Sequence, residues 1–229
     1  MNEKISIIVP VYNEEKTIKE IIMKLVNVKF PIEREIIIVN DGSSDKTEEI
    51  LRELKTLKLE KIKIVSYKSN RGKGYAVRAG LKYATGSIIG IQDADLEYDP
   101  NEYPKLLEPI LKKECKVVYG TRFNKKSKKN IFYYGNKFLS LITSLLYFSW
   151  VSDMETCYKV FRREILDGIK LNSNGFEFEP EITAKILKKY KIKEIPINYS
   201  PRSKKEGKKI RIRDGIKALF TLIKYRFID

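Results

Sequence analysis

The segment EIIIVNDGSSDKTEEILREL, residues 35–54, determines the fold class that the sequence predicts. It opens with a short apolar, β-branched run that is typical of a buried strand. Ser44 then precedes Ile50, Leu51 and Leu54, whose spacing places them on one face of a helix, and serine is a favoured helix N-cap. A strand that passes through a polar turn into a helix is half of a βαβ unit.

The same alternation recurs through the first half of the chain. Short apolar runs typical of buried strands occupy residues 5–9, 62–65 and 87–91, and helical spacing of apolar residues occupies 15–25 and 75–83. Alternating strands and helices predict an α/β fold with a mostly parallel central sheet flanked by helices. In such a sheet, ligands bind at the carboxyl ends of the strands.

The chain is strongly basic, and its C-terminal part carries half of the excess charge. The net charge is +16, and residues 191–229 contain 12 Lys/Arg against 4 Asp/Glu, a net of +8. Such charge favours nucleic acid, a phosphorylated substrate or an acidic membrane surface, although a solvated lysine-rich surface explains it equally well. The length of 229 residues fits one domain. We expect a single domain over 1–229, in which 200–229 form a basic loop and an amphipathic C-terminal helix.

The residue types restrict the chemistry. The sequence contains no histidine, which excludes Ser-His-Asp triads, Cys-His dyads and histidine metal sites. Cys115 and Cys157 have no metal-binding spacing and fit a reducing compartment. The chain begins directly in a strand-like pattern, so we expect no signal peptide and a cytoplasmic location. Any catalysis must use carboxylates, lysine, arginine, tyrosine or a metal ion.

A group of carboxylates directly follows the apolar run at residues 87–91. Asp93, Asp95 and Glu97 alternate along an extended segment, so their side chains can face one point. Clustered carboxylates repel one another unless a cation or proton neutralises them, and hard oxygen ligands suit Mg²⁺ or Mn²⁺. A solvated acidic turn is the alternative, but the position at a strand end favours a metal site.

Other polar groups also follow predicted strands. Asp41 is placed to accept hydrogen bonds from a ribose or a base, or to cap the next helix. The turn at 70–74 and Arg122 are candidates for binding phosphate, as is the basic run at 201–211. A simple strand–helix turn is the favoured interpretation of 70–74, because the P-loop spacing is missing.

Two apolar segments lie in the second half. Residues 138–150 are too few to span a bilayer, so we expect a buried helix, with a helix at a membrane interface as the alternative. Residues 215–227 are amphipathic and suit either packing on the core or contact with a membrane surface.

Taken together, these segments resemble the family 2 inverting glycosyltransferases of the GT-A fold, a Rossmann-like fold of nucleotide-diphospho-sugar transferases. Within that family the chain is most similar to the dolichyl-phosphate mannose synthases and polyprenyl-phosphate glucosyltransferases. The segments that carry the resemblance lie in order along nearly the whole chain: IVPVYNEE (8–15), IVNDGSSDKT (38–47), NRGKGYAVRAG (70–80), QDADLEYDP (92–100), YGTRF (119–123), SDMETCYKVFRREIL (152–166) and FEFEPEITAKIL (176–187).

The resemblance implies a donor site for a nucleotide-sugar. The residues that would bind it are Pro10, Tyr12, Glu14, Val39, Asp41, Asp93, Ala94, Arg122, Arg202 and Lys208. Arg122, Arg202 and Lys208 would meet the donor diphosphate or an acceptor phosphate.

The resemblance also implies metal and catalytic residues. Asp95 and Glu97 would hold Mg²⁺ or Mn²⁺, and the catalytic residues would be Asp93, Asp95 and Asp153. Asp153 and Glu155 lie where the family places the acceptor.

The implied reaction is inverting transfer of a hexose from GDP-mannose, UDP-glucose or a UDP-hexosamine to a polyprenyl or dolichyl phosphate. A lipid-phosphate acceptor is already an anion and needs no strong base, which fits a chain without histidine. We expect a protein peripheral to the cytoplasmic face of the membrane. Glu97 and Cys157 stand where mannose synthases tend to carry Gln and Gly, so the donor stays open.

Two alternatives remain. A hydroxyl acceptor would need a general base, for which Asp153, Glu155 and Glu179 are the candidates. A nucleic-acid-binding module would use the basic tail, but the sequence has no helix-turn-helix, RNP or zinc signature, and we expect no nucleic-acid partner. The sequence gives no indication of the oligomeric state.

Overall fold

One seven-stranded sheet organises the part of the chain that the computed structural model describes, residues 3–57, 59–123, 131–202 and 212–228. Its strands are β1 (Lys4–Val11), β2 (Glu33–Asp41), β3 (Ile62–Tyr67), β4 (Ile88–Ile91), β5 (Val117–Thr121), β6 (Lys159–Arg162) and β7 (Lys193–Pro196). The α-helices are α1 (Ile18–Asn27), α2 (Thr47–Thr56), α3 (Lys73–Leu81), α4 (Tyr103–Leu111), α5 (Ile131–Tyr147), α6 (Phe178–Leu187) and α7 (Ile212–Phe227).

The strand order predicts that ligands bind at the carboxyl end of β1, in the middle of the sheet. The order is β3-β2-β1-β4-β6-β5-β7, and only β6 runs antiparallel to its neighbours. The chain moves outward from β1 to β2 and β3, then returns to the other side of β1 with β4. This reversal creates a crevice at the carboxyl ends of β1 and β4. The predicted α/β class with a mostly parallel sheet is therefore confirmed.

Buried aliphatic side chains hold the helices on the central strands. Ile8 on β1 pairs in register with Ile37 on β2, and both are almost fully buried. Each such side chain contributes about 1.5–3 kcal/mol by leaving water. Gly80 allows α3 to approach β1, because a Cβ at that position would lie 2.5 Å from Cγ2 of Ile8.

The N-cap prediction for Ser44 is wrong. Helix α2 begins at Thr47, and the carboxylate of Asp45 accepts the Thr47 N–H at 3.0 Å. Ser44 instead donates its backbone N–H to Oδ1 of Asn13 at 2.7 Å. The side-chain amide of Asn13 also donates to Oγ of Ser44 at 3.2 Å, so that oxygen is used by the loop after β1 and does not cap α2.

Helices α5, α6 and α7 build a second, smaller core. Leu139 and Tyr147 of α5 pack with Ala218 and Leu222 of α7 against α6. The prediction of a buried helix at 138–150 is wrong for one face of α5. That face exposes Ile131, Tyr134, Phe138, Leu141 and Leu145, and Phe148 and Trp150 continue it beyond the helix. Helix α7 likewise exposes Ile216, Phe220, Ile223 and Phe227.

Neither α5 nor any other helix within the described ranges combines the length and apolar character needed to cross a bilayer.

Candidate active site

A cleft of about 920 Å³ opens at the carboxyl ends of β1, β2 and β4. Its volume lies in the range of small-molecule sites. One end is lined by Tyr12 and Asp41, which follow β1 and end β2. The other end reaches α5 and α7, where Phe138 and Leu219 line it. Polar strand ends and two apolar helices thus share one cavity.

Three carboxylates from two segments meet at one arginine in this cleft. Nη2 of Arg202 lies 2.8 Å from Oδ2 of Asp95, and Nη1 lies 3.0 Å from Oε2 of Glu14. The Arg202 backbone N–H donates to Oε1 of Glu97 at 2.8 Å, and Tyr199 donates its hydroxyl to Oε2 of Glu97 at 2.7 Å. The segment before the C-terminal basic run therefore closes against the acidic motif after β4.

The electrostatics of Asp95 favour a cation. Burial, followed by the neighbouring charges of Asp93 and Glu97, raises the pKa of Asp95 to about 7, although Arg202 opposes the shift. A carboxylate that is this costly to ionise gains from a nearby positive charge, which the guanidinium of Arg202 supplies in this structure.

Asp95 and Glu97 fit Mg²⁺ or Mn²⁺, because both ions take oxygen ligands. In the part of the chain that the structure describes, no three acidic, cysteine or histidine side chains form a complete metal cage. Mg²⁺ commonly binds through one or two protein carboxylates together with substrate phosphates and water. The site therefore suits an ion that arrives with a diphosphate.

Asp41 ties the end of β2 to the turn before α3. Its carboxylate accepts hydrogen bonds from the backbone N–H of Gly72 at 2.7 Å, from that of Arg71 and from the side chain of Asn70. The N–H of Gly74 donates to the carbonyl of Gly175 at 3.2 Å. The proposed phosphate cradle at 70–74 thus uses these donors internally, which agrees with a strand–helix turn.

A row of buried ion pairs begins at Asp93. Nζ of Lys73 lies 2.7 Å from Oδ1 of Asp93 and 2.8 Å from Oε1 of Glu179. Lys159, which is fully buried, pairs with the other oxygen of Glu179. Burial alone would lower the pKa of Lys73, but Asp93 and Glu179 outweigh it and hold the pKa well above its ordinary value.

Arg122 follows β5 and presents its guanidinium to the cleft. It is held by Asp153, which accepts hydrogen bonds from the backbone N–H, Nε and Nη2 of Arg122 at 2.7 to 2.9 Å. The guanidinium also lies over the ring of Tyr199, 5.2 Å from its centroid. Asp153 itself has no exposed surface and does not line the cleft.

The structure brings most of the predicted site residues to one cavity. Those that line the cleft are Pro10, Tyr12, Glu14, Asp41, Asp93, Ala94, Asp95, Glu97, Arg122 and Arg202. Val39 is fully buried in β2 behind the lining. Lys208 lies outside the described residues.

Sequence reasoning missed the roles of Lys159 and Tyr199. Lys159 interrupts the apolar pattern of β6, so neither the strand nor the buried ion pair stood out. Tyr199 lies about 100 residues from the acidic motif that it contacts, beyond any local pattern. Lys73 lies in the predicted turn at 70–74, and no local sequence pattern indicates its ion pair with Asp93.

The amino-acid sequence matches known proteins. A family model described as glycosyl transferase family 2 matches residues 6–169. The chain is 31% identical to the UDP-N-acetylglucosamine–dolichyl-phosphate N-acetylglucosaminyltransferase of Methanococcus voltae, over 96% of this chain and 94% of that protein. It is 30% identical to the dolichol-phosphate mannosyltransferase of Pyrococcus furiosus over 90% of this chain, but spans only 59% of that protein's length.

The fold also matches a solved enzyme. Glucosyl-3-phosphoglycerate synthase from Mycobacterium tuberculosis, in complex with Mn²⁺, UDP and glucosyl-3-phosphoglycerate, superposes with a TM-score of 0.75 at 19% identity. The match covers 99% of this chain and 81% of that one. The GT-A arrangement that the sequence predicts is thereby confirmed. The chain belongs to glycosyl transferase family 2.

Proposed function

We propose that this protein transfers a hexose from a nucleoside diphosphate to a polyprenyl phosphate, with inversion and with a divalent metal ion. The observation that carries the proposal is the set of residues that line the cleft. A single cavity joins carboxylates suited to a metal–diphosphate with two helices that present apolar side chains. The transferase unit spans residues 1–229, including the basic segment and helix of 200–229.

The donor occupies the end of the cleft at β1, β2 and β4. Tyr12 and Asp41 flank the nucleoside, and Asp95 and Glu97 hold Mg²⁺ or Mn²⁺ on the diphosphate. The ion, when bound, stabilises negative charge on the leaving nucleoside diphosphate. Arg122 and Arg202 lie within the same cavity and add positive charge there. The donor nucleotide is GDP or UDP.

The acceptor reaches the cleft from α5 and α7. The exposed apolar residues of α5 recur at spacings of three and four, as do those of α7, so each helix carries an apolar stripe. Such helices lie in a membrane surface with the apolar face inserted, and anionic lipid attracts the basic chain. The protein therefore acts at the cytoplasmic membrane face, where the lipid phosphate lies next to Arg122.

The ion pairs favour a phosphate acceptor over a hydroxyl. Asp153 is engaged by Arg122, and Glu179 by two lysines, so neither is available to take a proton from a hydroxyl. A hydroxyl acceptor would leave Glu155 as the base. A phosphate oxygen is already an anion and attacks the anomeric carbon directly, which gives inversion in one displacement. The names of the Methanococcus and Pyrococcus relatives, both dolichyl-phosphate sugar transferases, support this choice.

The proposal is tested by product formation. The purified protein is incubated with Mn²⁺, radiolabelled GDP-mannose, UDP-glucose or UDP-N-acetylglucosamine, and a polyprenyl phosphate in detergent. We expect radioactivity in the organic phase with one of these donors, in a product of inverted anomeric configuration. Transfer to a free sugar hydroxyl in place of the lipid phosphate, or retention of configuration, would contradict the proposal.

A further inference from the structure

One wall of the cleft contains three carboxylates besides those of the proposed metal ligands Asp95 and Glu97. It consists of Asp93, Lys73, Glu179 and Glu155, all of which line the cavity, and we call it the carboxylate wall. The ion pairs described above connect Asp93 to Lys73 and Lys73 to Glu179. Glu155 follows Asp153 by two residues and lies close enough to Glu179 for that negative charge to raise the pKa of Glu155.

Both lysines at this wall are already matched. Nζ of Lys159 donates to Glu179 and to the carbonyls of Met154 and Thr156, which uses all three of its protons. Lys73 forms ion pairs with both Asp93 and Glu179. The two lysines balance the charges of Asp93 and Glu179. Glu155 is therefore the surplus carboxyl group of the wall.

Glu155 has an incomplete set of hydrogen bonds. Its Oε1 is buried and has no partner among the residues that the structure describes, while the side chain as a whole is half-buried at the cleft. Burial, followed by the charge of Glu179, raises the pKa of Glu155 to about 7. A carboxyl group of this kind at a cleft surface gains from a neutral hydroxyl partner, and it disfavours a second negative charge.

The position of the carboxylate wall in the cleft indicates which part of the donor contacts it. Asp95 and Glu97 mark the diphosphate, and Asp93 precedes them in the same segment. From Asp93 the wall continues through Lys73 to Glu179. A sugar attached to that diphosphate and directed away from the nucleoside end lies against this wall.

We propose that Glu155 determines donor specificity: it binds hydroxyl groups of the transferred sugar and excludes sugars that carry a carboxylate. This inference rests on the proposed function and restricts it to neutral sugars. A uronic acid would place its carboxylate where the positive charge of the wall is already paired. Desolvating that anion without a free cation is costly.

The test compares donors that differ only in this charge. Calorimetry with Mn²⁺ measures the dissociation constants of the nucleoside diphosphate and of its matched neutral and uronate sugars, either UDP-glucose with UDP-glucuronate or GDP-mannose with GDP-mannuronate. We expect the wild type to prefer the neutral sugar by about tenfold or more, since like charges at close range are strongly disfavoured. Glu155→Gln should reduce this preference to about threefold or less, and Glu155→Ala should weaken binding of the neutral sugar.

The free nucleoside diphosphate separates the two proposals. Its affinity should change less than about twofold in the Glu155 variants, because the wall contacts only the sugar. Glu108→Gln, an exposed change on α4 outside the cleft lining, is the control and should behave as wild type. Equal binding of neutral and uronate donors by the wild type, or an unchanged preference in Glu155→Gln, would overturn the role of Glu155. Failure of every nucleoside diphosphate to bind would overturn the proposed function and this inference with it.

Discussion

Arg122 and Asp153 form a two-point ion pair in which Nε and Nη2 of the guanidinium donate to the two carboxylate oxygens, at 2.9 and 2.7 Å. Asp153 is fully buried, whereas Arg122 reaches the cleft. Asp153 was predicted from the family resemblance to be catalytic. The two hydrogen bonds orient the guanidinium of Arg122, and a catalytic role for Asp153 stays a prediction.

Asp153→Asn should therefore destabilise the fold. Removing the charge of the fully buried Asp153 breaks this ion pair, which typically costs about 3–5 kcal/mol. Urea denaturation measures the change, with the exposed Asp167→Asn as the matched control. A variant with wild-type stability but no turnover would instead identify Asp153 as a direct participant in the reaction.

Asp95→Asn should strongly reduce metal-dependent activity and preserve the fold. The folded protein already disfavours the ionised form of this carboxyl group, whose pKa is raised to about 7, so an uncharged amide is tolerated. Loss of a group that holds charge at the diphosphate should lower kcat/KM by about 10²–10³-fold. Steady-state kinetics and a thermal melt test this together, and near-normal rates would remove the metal site from the account.

The stability of the protein should depend on the protonation of Glu155. Glu179 and Asp153 face it and raise its pKa, while Lys159 and Arg122 oppose them; burial is the largest effect, and the pKa reaches about 7 from 4.5. The folded state therefore holds this proton more tightly than the unfolded state, so the contribution of Glu155 is most favourable below pH 4.5 and is lost as the pH rises through 7.

Glu155→Gln removes this dependence. Relative to wild type, the variant should gain about 2–3 kcal/mol in free energy of unfolding between pH 5 and pH 8. Parallel denaturation series at the two pH values measure the difference. A gap between variant and wild type that stays constant would show that Glu155 ionises normally in the fold.

Apolar residues of α5 and α7 should mediate membrane binding. Leu145 and Phe220 are 65% and 68% exposed and do not line the cleft. Replacing both with Asp should reduce binding to vesicles of phosphatidylcholine and phosphatidylglycerol by about tenfold or more, since each change removes apolar area and adds a charge that anionic lipid repels. Leu57→Asp is the control, because Leu57 directly follows α2 and is 56% exposed. Equal losses in both proteins would contradict a specific membrane face.

The sequence predicted the parallel half of the sheet well because its strands are continuous apolar runs. Once β1, β2 and β4 are recognised, topology alone predicts that Glu14, Asp41 and Asp95 lie at the same end of the sheet, where all three line the cleft. Strand β6 was not predicted because it begins with the buried Lys159. A local pattern does not distinguish a buried lysine from an exposed one. The exposed face of α5 could not be predicted either, since apolar spacing does not say which side the rest of the chain covers.

The contact between Tyr199 and Glu97 illustrates a further limit. It joins segments about 100 residues apart, which the pairing of Tyr98 with Tyr199 helps to bring together. Local patterns indicate the acidic motif and the basic run at 201–211 as separate candidate sites and do not connect them. The binding site was therefore predicted as a set of strand ends, and its closure by residues 199–202 came from the structure.

The most direct test of the central claim is thermal stabilisation by nucleoside diphosphates with and without metal. GDP or UDP with Mn²⁺ at about 100 times its dissociation constant should add about 2.7 kcal/mol of stability. For a chain of this size that corresponds to a rise in Tm of roughly 5–10 °C. We predict that one of the two diphosphates gives this rise, and that EDTA or Asp95→Asn removes it. No rise with either diphosphate, or a rise that persists in EDTA, would contradict a metal-dependent nucleotide-sugar site.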